Sequence, residues 1–157
     1  MLHLDDRGIG HGATAFIAFA ASVVISRLVA GRLPDVLGPR ITAVAAGLAE
    51  AAGLAVIAAA GSFAVALAGA IVMGVGFSLL FPSLALIAVE RSGDERRGAA
   101  LGAFTAFFDA GVGVGAPVAG AIAAIGGYPA AFWVASAAAA AGMLVSVAMT
   151  SSRHASI

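Results

Sequence analysis

The sequence predicts an all-α membrane protein: five transmembrane helices in a single transmembrane domain covering residues 1–157. Three observations carry this expectation. The chain is 62% hydrophobic and 10% charged, with a mean hydropathy of +1.08, whereas a soluble domain is roughly a quarter charged. Its apolar residues fall into five long runs, and nearly all its charges fall in the short breaks between them. Each run matches the roughly 20 residues needed to cross a hydrocarbon core at about 1.5 Å rise per residue.

The runs cover residues 12–30, 41–61, 63–89, 98–125 and 128–150, and Arg27, Glu50 and Asp109 are their only formal charges. The first run follows an acidic stretch and is longer than the apolar region of a typical secretory signal, so no cleavable leader is expected. A basic loop, GRLPDVLGPR at residues 31–40, separates it from the second run. The uncharged Gly61-Ser62 step leads to the third run, in which Pro82 removes one helical hydrogen bond and predicts a bend near Phe81. The charged stretch from Glu90 to Arg97 leads to the glycine-rich fourth run. Gly126-Gly127 leads to the last, whose alanine block at residues 137–141 suggests a peripheral scaffold helix.

Loop charge sets the orientation, because positively charged loops stay cytoplasmic. Arg32 and Arg40 share a side with Arg91, Arg96, Arg97 and Arg153, and this side is expected to be the cytoplasm. Asp5, Asp6 and Arg7 then lie outside, with the C-terminus inside. An external N-terminus directly before a helix suggests a chain that begins within something larger. All eight basic residues are Arg, a usage that suggests a GC-rich bacterial genome and a bacterial inner membrane.

Several chemistries are excluded or disfavoured. The chain has no cysteine, so disulfides and thiolate sites are absent. His3, His11 and His154 lie near the ends and share no helical face, so no metal or other cofactor is expected. The glycines are not followed by the Lys-Ser/Thr pair of a phosphate loop, and no serine or zinc hydrolase signature occurs. The arginines are too few and too close to the membrane for nucleic-acid binding. Enzyme activity is not expected.

The loop Gly31-x-x-x-Asp35-x-x-Gly38-x-Arg40 resembles the signature loop of major facilitator superfamily transporters. Val36 stands where that family usually has Arg, and Pro39 replaces the first basic residue of the closing pair, a decay similar to the copy in the C-terminal half. Arg97-Gly98-x-x-x-Gly102, the glycine series after Asp109, and the Gly126–Tyr128 turn before Phe132-Trp133 resemble bacterial drug- or sugar-efflux members. The resemblance implies helices eight to twelve of a twelve-helix carrier, a partial C-terminal half-bundle. The tail LDDRGIGH would then be the outer loop before helix eight. It also implies efflux or exchange of a small organic solute in the bilayer, with proton coupling as one option and a missing N-terminal half or a second copy as partner. The competing reading is a non-transporting membrane protein, either a gene remnant or an assembly subunit.

Asp109 is the sharpest candidate site residue, because an ionisable group near the midplane is costly. It lies about eleven residues into its run, at about 16 Å depth. Gly98, Gly102, Thr105, Ala106, Val112, Gly113, Ala116 and Gly120 lie within about 60° of it on a helix, while Phe104, Phe107, Val114, Val118 and Ile122 lie opposite. Two readings stay open: a polar site on the transport path, with Thr105 beside it, or an interhelical hydrogen bond. Glu50 lies at similar depth on a face with Ala43, Ala46, Gly47, Gly53, Leu54 and Ile57, which favours structural pairing or a neutral acid over solute contact.

Arg27, one turn from the cytoplasmic end, is read as a snorkelling anchor or as a partner for Asp35. By resemblance Asp35 is a conformational latch against the other half; the alternative is a plain turn at Pro34 and Gly38. Gly98-x-x-x-Gly102 and Gly111-x-x-x-Gly115 are read as helix-packing faces, since small residues let backbones approach in lipid. By resemblance the run containing Pro82 lines the cavity, where its bend serves either gating or packing.

Overall fold

A computed structural model describes residues 12–151, with side chains as far as residue 145. The tail LDDRGIGH, all three histidines and Arg153 lie outside the described residues, so the readings placed on them are not addressed by it. The described residues form α1 (Gly12–Ala30), α2 (Leu33–Leu37), α3 (Pro39–Ala59), α4 (Phe63–Ser92), a 3-10 turn (Asp94–Arg96) and α5 (Arg97–Ser151). Four segments are long and apolar enough to cross a membrane: Gly12–Ala30, Pro39–Ala59, Phe63–Ser92 and Asp94–Val145.

The last segment holds two of the expected runs. Gly127, at φ 78° and ψ 169°, is not helical and divides α5 into two arms. That backbone region is open essentially to glycine alone. Ala119 and Ala135 would be about 24 Å apart on one straight helix. Both instead line one apolar cavity of about 260 Å³ with Leu54, Tyr128 and Phe132, so the arms fold back on each other.

The basic loop contains more structure than a plain turn. Leu33–Leu37 is a short helix in which the Asp35 and Val36 amides donate to Arg32 O at 3.0 and 3.1 Å. Gly38, at φ 87°, ends it, and Pro39 then opens α3, where its missing N–H costs nothing. Thr42 Oγ1 closes the joint by donating to Gly38 O at 3.0 Å. These contacts start α3 two residues before the second apolar run, which begins at Ile41.

α4 is the central helix, with α3 and α1 packed against it. Small residues allow the approach. A Cβ on Gly53 would lie 2.5 Å from Met73 N, and one on Gly69 would lie 3.0 Å from Ile57 N. Residue numbers fall along α3 as they rise along α4, so the two helices are antiparallel. Gly74 meets Phe19 of α1, and Ser78 Oγ donates to Val23 O at 2.9 Å. Those contacts advance together, so α1 and α4 are parallel. The second arm of α5 lies along α3, with Ser136 Oγ donating to Ala51 O at 2.7 Å and Met143 seated over Gly47.

Candidate functional site

The candidate residues do not converge on one site. Glu50 lies at the α3–α4 contact, where its backbone faces Gly76 and its Oε2 atom is buried with no hydrogen-bond partner among the described residues. Asp109 lies on the first arm of α5, is exposed, and has no partner among the described residues. Thr105 Oγ1 donates to Leu101 O of its own helix at 3.0 Å.

The orientation of the first arm is set by aromatic packing. Phe104 and Phe108 hold Phe81 of α4 with ring centroids 5.2 and 4.9 Å apart, the spacing of favourable tilted and edge-on pairs. Phe104 lies about 140° from Asp109 around a helix, so Asp109 faces away from the chain's own bundle. The glycines on this arm follow the acid. A Cβ on Gly98, Gly102, Gly111, Gly113, Gly115 or Gly120 would meet nothing within 4 Å.

Among the described residues, therefore, Gly98, Gly102, Gly111 and Gly115 do not pack a helix; Phe104 and Phe108 do, while Phe107 and Val114 of the bulky face are exposed. The packing glycines are Gly47, Gly53, Gly69, Gly74 and Gly76 on α3 and α4. Their spacing carried a usable signal: Gly69 and Gly76 are seven residues apart on one face, and Gly74 and Ser78 are four apart on another.

At the arginine-rich end a cleft of about 490 Å³ opens between α1, α4 and the start of α5. Arg27, Gly31, Asp35, Pro82 and Leu101 line it. It joins two parts of the sequence reading, the signature loop and the proline bend. Arg27 and Asp35 share this cleft without an ion pair, because within 4.0 Å the described residues form only the exposed Arg97–Asp94 pair. Gly38 and Arg40 lie outside the cleft lining, in the turn and the first residues of α3.

A family model for the major facilitator superfamily matches residues 2–156. The chain belongs to this superfamily. It is 38% identical over 143 residues, 91% of its length, to an uncharacterized MFS-type transporter of Salmonella typhimurium. It is 40% identical over 100 residues to uncharacterized MFS-type transporters of Burkholderia mallei and Burkholderia pseudomallei, covering 64% of this chain and 25% of each relative. It covers 36% of the Salmonella protein, so the chain spans about a third or less of these relatives. No solved structure matches it.

Membership fits the apolar all-helical build, and the facilitator family is one of membrane transporters rather than enzymes. This facilitator segment is a multi-pass membrane protein and part of a helical half-bundle.

Proposed function

We propose that the chain serves efflux or exchange of a small organic solute as the C-terminal part of a twelve-helix carrier in a bacterial inner membrane. In this reading the Asp109 face of α5 borders the solute path. The supporting observation is directional. The one charge deep in the fourth run is exposed, and the glycines beside it from Gly98 to Gly115 meet open space among the described residues. An uncovered carboxylate facing lipid would be costly. That cost falls if the face meets a polar path between this segment and the rest of the carrier, with the solute near the midplane.

The partner on that face is the N-terminal half, consistent with relatives about two and a half times as long. Gly98, Gly102, Gly111 and Gly115 then allow close approach across that interface rather than within the chain. Asp35 serves as the conformational residue at the cytoplasmic end, and coupling to protons runs through Asp109.

The test is solute flux in proteoliposomes holding the complete carrier, across a panel of radiolabelled sugars and lipophilic amines. Asp109→Asn should abolish or strongly reduce flux of the transported solute and flatten its pH dependence, with membrane insertion unchanged. Unaltered flux and pH dependence would remove Asp109 from the path.

A further inference from the structure

Pro82 has no N–H, so the carbonyl one turn earlier, that of Ser78, loses its helical donor. A freed carbonyl inside a membrane helix needs a substitute donor. Here it comes from another helix: Arg27 Nη2 of α1 donates to Ser78 O of α4 at 3.4 Å. The same residue ties back, with Ser78 Oγ donating to Val23 O at 2.9 Å. Each helix thus offers one side-chain donor to the other's backbone, and the crossing lies one turn above the proline. On the next turn Ser83 Oγ donates to Leu79 O at 2.7 Å, inside α4 alone.

Arg27 also has a second acceptor within its surroundings. Its side chain and Asp35 line the same cleft, whose far wall includes Pro82, Leu86 and Val89 of α4. No ion pair joins the two residues in the observed arrangement. A guanidinium offers five donors in a rigid fork and pairs strongly with carboxylate. Two acceptors, one neutral and bound, one charged and unbound, make a discrete choice of the kind that switching elements use.

We infer that Arg27 is the pin of a hinge at Pro82, holding the cytoplasmic third of α4 while it bonds Ser78 O and releasing it when it turns to Asp35. Bound to Ser78, the pin fixes the bend and the width of the cleft. Turned to Asp35, it leaves the Ser78 carbonyl without a donor, and the segment from Ser83 to Ser92 changes its angle to α1. The inference rests on the α1–α4 geometry and the shared cleft with Asp35, and stands apart from the transport reading.

The chain's lack of cysteine permits a direct test in lipid nanodiscs. Spin labels on Val29→Cys and Glu90→Cys report the distance between the cytoplasmic ends of α1 and α4. Arg27→Met should shift and broaden that distance distribution. Adding Pro82→Ala restores an amide donor to Ser78 O and should cancel the effect of Arg27→Met. Asp35→Asn removes the charge of the second acceptor, weakening its pull on the guanidinium, and should narrow the distribution. Isotope-edited infrared spectra of a 13C-labelled Ser78 carbonyl supply an independent readout: Arg27→Met should raise its stretching frequency, even where the distance labels perturb the ends. The inference is overturned if Arg27→Met changes neither signal, if it acts equally with and without Pro82→Ala, or if Asp35→Asn broadens the distribution.

Discussion

Gly76 of α4 lies flat against Glu50 of α3: a Cβ on Gly76 would sit 2.5 Å from the Glu50 amide nitrogen and 2.5 Å from Ala46 O. The contact is backbone to backbone, so no side chain can yield to relieve it. Two helices approach this closely in lipid only where one presents no side chain. This contact also places the Glu50 carboxyl where Oε2 is buried without a partner.

Gly76→Ala should therefore separate α3 from α4 and destabilise the bundle by about 1–3 kcal/mol, the usual cost of overpacking. Gly113→Ala, at a site with nothing within 4 Å, should be neutral or slightly stabilising through helix propensity. Denaturant unfolding in micelles, followed by circular dichroism, compares the two. Equal losses would show that the α3–α4 approach is not limiting.

Glu50→Met should raise stability. It replaces a buried oxygen lacking a hydrogen bond with an apolar chain of similar length, and such an orphaned polar group costs about 1–3 kcal/mol. Glu50→Gln keeps a polar end in the same place and should gain less. A lower melting midpoint for Glu50→Met would reveal a partner that the carboxyl depends on.

Gly127 lets α5 fold back, and its φ of 78° is strained for any residue with a Cβ. Gly127→Ala should cost about 1–3 kcal/mol and loosen the contact of the second arm with α3. The Ser136 hydroxyl bond to Ala51 O reports that contact. Ser136→Ala in the native background should cost about 0.6 kcal/mol, typical of interhelical bonds in membranes, and less once Gly127→Ala is present. Additive losses would mean that the turn and the arm contact are independent.

Orientation can be checked with single cysteines. Ser92→Cys, at the end of α4, should react with a membrane-impermeant maleimide only from the cytoplasmic side. Gly61→Cys, in the α3–α4 turn with open space around its Cβ, should react only from outside. The reverse pattern would invert the orientation read from the arginines.

The membrane character, the helical class, the family and the turns at Gly31–Arg40, Gly61-Ser62 and Gly126-Gly127 were legible in the sequence. Each depends on local properties: the transfer free energy of a run of side chains, the missing amide of a proline, or the backbone freedom of a glycine. Those quantities are nearly additive along the chain and require no knowledge of a partner. The hydrogen bond lost at Pro82 was legible in the same way, but the residue that answers it was not. Arg27 is 51 positions from Ser78, and no pattern in either segment encodes the other.

Only the tertiary structure decided which faces meet. The fourth run shows two good helix-packing motifs, yet its Phe104 and Phe108 pack on Phe81 and its glycines stay open. The glycines that do pack, Gly53, Gly69 and Gly76, were overshadowed by that denser series. Spacing says which residues share a helical face, but not what that face touches, because contact is settled by shape complementarity between segments distant in the chain. The sequence therefore determined that Asp109 shares a face with glycines. The packing of three phenylalanines decided that this face turns outward.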